Sequence, residues 1–453
     1  MNSAPPASPA PSVSRSGQTL ERAAADLATR VAALEKELDA LPTRSARDAA
    51  QLRRSDEVTA RTRALRRDFL TANAGEIYDV LTDGRRTHVR LKELLNAAAV
   101  RFPGVVPAEA RMAAERELVQ ADRDGLEIDQ AVFCAAVLRH PRAGRHLVDA
   151  MLRPAPRSEP LLDVFRRTGR IELATVVVER RGRAAHVTFR NPDTLNAEDN
   201  QLIDDLEAAV DVVLLDDRCA AGVLRGGPVN HPRYQGRRVF SAGINLKELR
   251  NGRISFLDFL LGRELGYIHK IWRGVLTDPQ NPSWGERCVQ KPWVGVVDSF
   301  AIGGGMQLLL VLDRVIAEDE AYFSLPAADE GIVPGLANLR LTRTLGARLA
   351  RSVILGGVRI AATDPRARLI CDEIVPAEEL DDAAERAAEQ LAAPAVAANR
   401  RMLTLAEEPV ELFLQYLADF AVIQAQRAYS TDVLAKVESR WQASRAVAGG
   451  IRR

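Results

Sequence analysis

The sequence predicts an α/β protein: a core of stacked βαβ units, preceded by an all-helical N-terminal domain and followed by a helical C-terminal region. Three observations predict it. Apolar residues recur every three or four positions from Gln18 to about Arg153. Beyond Pro154, Pro156 and Pro160, short β-branched runs alternate with helical patterns. After about Glu389 the helical pattern returns.

In the first part, Leu27, Val31, Leu34, Leu38 and Leu41 form a seam that Pro42 ends. Further helical runs cover 45–73, 76–81, 91–100, 108–121 and 128–138, punctuated by Gly75, Gly84, Gly104 and Gly125. No catalytic motif falls here, so packing or assembly is its expected role. The proline-marked stretch reads as a linker. Next, Thr175–Glu179, a turn at 181–183 and His186–Arg190 read as a hairpin. A helix follows over 197–214. Strands are expected at 221–225, 293–297 and 314–317, with a long helix opening at Gly303-Gly304-Gly305. The boundaries are a disordered tail over 1–17, a helical domain over 18–165, an α/β core over 166–390 and a helical region over 391–453.

Composition narrows the function classes. Lys plus Arg number 62 and Asp plus Glu 61, for a net charge of +1, which lacks the basic excess of a dedicated nucleic-acid binder. Six of those basic residues are lysines, an arginine bias read mainly as genomic. The four scattered cysteines, Cys134, Cys219, Cys288 and Cys371, predict buried reduced thiols and a cytoplasmic protein. The first sixteen residues are rich in Pro, Ser and Ala and carry no signal-peptide pattern. No apolar run is long enough for a membrane span. The six histidines show no metal-ligand spacing, and no G-x-G-x-x-G follows a strand, so neither a metal nor a flavin or nicotinamide is expected.

Three segments carry chemistry. They are Phe189-Arg-Asn-Pro-Asp-Thr-Leu-Asn-Ala197, Phe240-Ser-Ala-Gly-Ile-Asn-Leu-Lys-Glu-Leu249 and Lys291-Pro-Trp-Val-Gly-Val-Val-Asp-Ser-Phe-Ala-Ile-Gly-Gly-Gly-Met-Gln307. In this order they resemble the crotonase (enoyl-CoA hydratase/isomerase) superfamily over about 172–453. The resemblance implies a spiral of ββα units, a trimerisation-type C-terminal region, and a homo-oligomer that is a trimer or dimer of trimers. It implies an acyl-CoA thioester substrate whose enolate oxygen is held by the backbone N–H groups of Ile244 and Gly304. Two convergent donors in a dry site stabilise such an oxyanion by several kcal/mol, and a helix starting at the glycine run adds its positive end.

Departures from the family refine this expectation. Where the hydratases carry two glutamates, this chain has Gln307 and Ala327, so simple water addition is disfavoured. The insertion at 227–238 brings His231, Arg233, Arg237 and Arg238, basic residues suited to the phosphates of CoA. The apolar run 254–266 around Arg263 suits an aromatic or non-polar acyl group. Together with the helical N-terminus, these features resemble the branch of the superfamily that oxygenates an arylacetyl-CoA with O2, using no metal or organic cofactor, in antibiotic biosynthesis. That resemblance implies that Glu198 binds a ring hydroxyl, Arg263 grips the substrate near the reacting centre, and Gln307 orients the intermediate. Ala242 and Gly305 join the expected substrate-facing set. The alternatives are a cofactor-free hydrolase, isomerase or lyase on an acyl-CoA, or a non-catalytic CoA-binding scaffold.

Overall fold

In the computed structural model, which describes residues 15–280, 287–436 and 438–439, one seven-stranded sheet organises the core. Its strands are β1 (Arg170–Glu172), β2 (Val176–Arg181), β3 (Ala184–Phe189), β4 (Ala221–Gly226), β5 (Trp293–Val297), β6 (Arg314–Glu318) and β7 (Glu373–Val375). They lie side by side in chain order. The first three are antiparallel and every later pairing is parallel. β4 and β5 are buried at nearly every position, as parallel strands covered on both faces must be.

A second, smaller layer gives the spiral. Phe300–Ile302 and Tyr322–Ser324 pair in parallel, each leaving the sheet just after β5 or β6. Isolated bridges Ser241–Ala301 and Glu198–Ile244 continue that layer towards the first hairpin. Each turn of chain therefore supplies one strand to the sheet and one short extended piece to the second layer, the ββα spiral that the motifs implied.

Between the layers sits the main core, with Trp293, Phe189, Phe240, Met306 and Phe323 wholly buried. The sheet's far side is covered by the Leu380–Leu391 helix, whose Ala383, Ala384 and Ala387 let it approach closely. A separate core joins the N-terminal helices, the Val410–Ala428 helix and the segment Phe256–Leu265. The seam residues Leu27, Val31, Leu34 and Leu38 are all buried.

Several elements differ from the sequence reading. Ala49–Leu81 is one helix that runs through Gly75 without a break, opened by an Asp48/Gln51 capping box. Gly75 is there because a Cβ would run into the His140 ring. Pro160 sits in the first turn of the Ser158–Thr168 helix, where a missing N–H costs nothing. The helix at the glycine triplet is short, Gly304–Leu309. The 197–214 helix begins at Asn200, because Asp199 caps it through the Leu202 N–H. The tail expected over 1–17 lies outside the described residues as far as residue 14, and the helix of its last residues starts at Arg15. The C-terminal region beyond 439 also lies outside them.

Candidate active site

The second layer brings the motifs together. After β3 the chain turns through Leu195 and Asn196, both with positive φ. Asn196 is wholly buried and its Nδ2 donates to the carbonyls of Gly227 and Val239, which ties the first motif to the second. Glu198 then pairs with the second motif, its N–H donating to Gly243 O and its carbonyl accepting from Asn245 N. Gly243 (φ 81°) presses against the third motif: a Cβ there would stand 3.1 Å from Gly304 N. Gly303 turns the chain into the short helix at φ 53°, ψ −116°, a conformation only glycine adopts readily.

This places Ile244 and Gly304 side by side on one cavity wall. Among the described residues neither N–H finds an acceptor. Two idle backbone donors, one at a helix start, form a site for developing negative charge.

Arg263 dominates the cavity's interior. It is 3% exposed, and all five of its N–H groups are engaged. Nε and Nη2 donate to the two Glu198 oxygens at 2.8 and 3.1 Å. Nη2 also donates to Gly304 O at 2.8 Å. Nη1 donates to Glu264 Oε1 at 2.9 Å and to Gln307 Oε1 at 3.0 Å. Burial alone would lower its pKa, but the Glu198 carboxylate, Tyr267 and Glu264 reverse that and hold it cationic. Because Oε1 of Gln307 accepts from Arg263, its amide nitrogen is left to donate into the cavity.

Glu198, Ala242, Ile244, Arg263, Gly304 and Gln307 all line this cavity, with Leu246, Phe259, Leu260, Leu325 and Ile332 as apolar wall. The other expected site residues do not join them. Gly305 faces away, against Ser241, where a Cβ would stand 2.8 Å from the Ser241 Cβ; it serves close packing of helix on strand. The insertion folds over Phe300 and Tyr322 through Val229 and Tyr234. His231 and Arg233 are exposed on it, with Arg233 over the Tyr234 ring. Arg237 is already paired with Glu318 (3.0 Å) and Glu320 (3.4 Å), and half-buried Arg238 donates to Gly226 O. The motif lysine, Lys291, caps the Asn200–Leu215 helix through the carbonyls of Val213 and Asp216.

Two features escaped the sequence reading. Glu264, next to Arg263, is a buried cavity-lining carboxylate. The roof over 331–335 is pinned by the Val410–Ala428 helix: Tyr416 Oη donates to Gly335 O, Arg427 to Gly331 O, and Val333 N to Gln424. The charged residue inside the apolar 254–266 run was the available signal for the first. The second joins residues about eighty or more apart and had none.

Fold and cavity together suit a ligand whose oxygen gains negative charge beside the Ile244 and Gly304 N–H groups. The family model for enoyl-CoA hydratase/isomerase matches residues 274–427. The mitochondrial enoyl-CoA hydratase of Pongo abelii is 30% identical over 56% of this chain and 80% of its own length. A probable enoyl-CoA hydratase of Rhizobium meliloti is 31% identical over 51% and 84%. The chain belongs to the enoyl-CoA hydratase/isomerase family. Within it, the chain is 54% identical to the (3,5-dihydroxyphenyl)acetyl-CoA 1,2-dioxygenase of Amycolatopsis orientalis, over 94% of this chain and 97% of that one.

Proposed function

We propose that this chain is a (3,5-dihydroxyphenyl)acetyl-CoA 1,2-dioxygenase that converts its substrate and O2 to 3,5-dihydroxyphenylglyoxylate and free CoA. The observation that carries this reading is the 54% identity across nearly the whole of both chains, helical N-terminal part included. The hydratases match only about half of this chain.

The site chemistry supports it. Loss of an α-proton gives an enolate whose oxygen accepts from Ile244 and Gly304. Delocalised into an electron-rich ring, that carbanion gives an electron to O2, and the two radicals combine to a peroxide at the α-carbon. The peroxide attacks the thioester carbonyl and expels CoA; O–O cleavage leaves the keto acid. The substrate is its own reductant, so the reaction needs neither metal nor organic cofactor. Glu198 accepts from a ring hydroxyl. Gln307 donates its amide to the reacting carbonyl or peroxide. Arg263, expected to grip the substrate, acts instead by fixing Glu198, Gln307 and the Gly304 carbonyl, since its donors are all committed. His231 and Arg233, exposed on the insertion, are suited to the phosphates of CoA.

The protein acts as a homo-oligomer in the cytoplasm. Met402, Leu403 and Leu405 stand 66, 60 and 52% exposed on the Pro394–Glu407 helix, an apolar surface suited to a second copy.

The experiment is incubation with dihydroxyphenylacetyl-CoA in air and under argon after exhaustive chelation, with products followed by mass. The expected result is arylglyoxylate in air and none under argon. Turnover restored only by added metal would overturn the cofactor-free mechanism, and hydrolysis or isomerisation at equal rates in both atmospheres would overturn the dioxygenase.

A further inference from the structure

Glu264 stands in the wall of the cavity, 2% exposed, with one oxygen satisfied and one not. Oε1 accepts from Arg263 Nη1. Oε2 receives no hydrogen bond among the described residues, and the Arg340 guanidinium lies 3.9 Å from it. A buried acceptor left without a donor is unfavourable. Its presence in a ligand cavity therefore points to a proton that arrives with the ligand. Gly335 makes room for it: a Cβ there would overlap Glu264 Oε1 and come within 2.7 Å of Gln307 Oε1.

Building on the dioxygenase reading, we infer that Glu264 is the base that takes the α-proton of the bound thioester and returns it to the departing thiolate. The alternatives inside the cavity are weaker. Glu198 has both oxygens held by Arg263, and Tyr267 Oη adds a further contact at 3.4 Å. Gln307 cannot take a proton, and Ala327 replaces the carboxylate other family members use. Glu330, half-buried at the cavity's edge, is the competitor. The groups facing Glu264 are Arg263, Arg340 with its partner Glu408, Glu198 across the guanidinium, Tyr267 and Tyr416. Burial pushes the Glu264 carboxyl up; Arg263 and Arg340 pull it down, Glu198 pushes it further up, and the net direction is upward. A carboxylate so placed is a stronger base than an exposed one.

The protons balance. The Glu264 carboxylate removes one α-hydrogen as the enolate forms, becoming the acid. When the peroxide closes on the carbonyl and the C–S bond breaks, the thiolate takes that proton and leaves as CoA thiol, restoring the carboxylate. The second α-hydrogen leaves as a proton when the O–O bond breaks and the α-carbon becomes the ketone.

Solvent deuterium wash-in at the α-carbon under argon reads the first step without O2 chemistry. Wild-type protein is expected to exchange. Glu264→Gln should lose about a hundredfold or more of the exchange rate while binding the thioester with unchanged affinity. Glu264→Asp should recover part of the rate, and Glu330→Gln should exchange like wild type. Exchange by Glu264→Gln at the wild-type rate overturns the assignment, as does loss of thioester binding in Glu264→Gln that Glu264→Asp does not restore. Wild-type exchange without O2 consumption in air would sink the dioxygenase reading and leave the base in place.

Discussion

At the scale of single residues, the site depends on one guanidinium whose five donors are spent on protein acceptors. A buried ion pair broken on one side leaves its partner's charge uncompensated, at about 3–5 kcal/mol. Arg263→Ala is therefore expected to lower stability by that order in denaturant unfolding, as well as abolishing turnover. Arg263→Lys, which cannot reproduce the fork, should recover little of either. Gln307→Glu puts a second negative charge beside the enolate and is expected to cut O2 consumption roughly tenfold, about 1.4 kcal/mol in the transition state. Unchanged O2 consumption would place Gln307 away from the reacting thioester. Five of the expected site residues, Glu198, Ile244, Arg263, Gly304 and Gln307, do share one cavity. Ile244, Gly304 and Gln307 were legible because backbone donors, glycines and a polar side chain at set spacings leave a pattern in one dimension, whereas Glu198 and Arg263 came only from the resemblance. Glu264 was not, because a carboxylate beside an arginine reads as a surface pair until burial is known. Arg237 read as a free cation for the opposite reason: its acidic partners lie 81 and 83 residues away.

At the scale of elements, β-strands were read well where side-chain period decides them, whereas the Asp48 and Asp199 caps that set two helix starts were passed over. β5 falls at 293–297 as expected. The glycine breaks were read less well, since Gly75 answers to His140 on another helix. Gly75→Ala is expected to cost about 1–3 kcal/mol by overpacking that contact; an unchanged unfolding midpoint would show that the His140 ring yields. The π-helical turn Phe256–Leu261 just before Arg263 was likewise invisible, being imposed by packing of Phe256 and Leu261 into the helical core. On β3, burial and then the Arg181 and Arg225 guanidiniums push the His186 imidazole from 6.5 down to about 4, although Glu385 lies 3.3 Å from it. The folded state thus prefers the neutral ring. Its stabilisation is complete above pH 6.5 and is lost as pH falls through about 4, of order 3 kcal/mol at most. His186→Gln should flatten the acid limb of stability in that window, as followed by thermal unfolding, and an unaltered limb would contradict the assignment.

At the scale of the whole molecule, the helical N-terminal part and the cavity are one mechanical unit. The Val410–Ala428 helix packs against Leu126–Arg139 in a shared core and pins the cavity roof through Tyr416, Gln424 and Arg427. Glu127 of the N-terminal part accepts from Phe256 N and Tyr429 Oη, joining all three regions. Deleting residues 15–153 exposes that apolar core; the expected outcome is aggregation or an altered oligomer by light scattering, and a soluble, fully active remainder would contradict it. The central claim is that O2 itself attacks the bound enolate. Turnover of dihydroxyphenylacetyl-CoA under oxygen-18 gas tests it most directly. The account predicts that both labelled atoms of one O2 enter the arylglyoxylate, with one CoA thiol released per O2 consumed. CoA release that continues under argon, with product oxygen drawn from water, would contradict it.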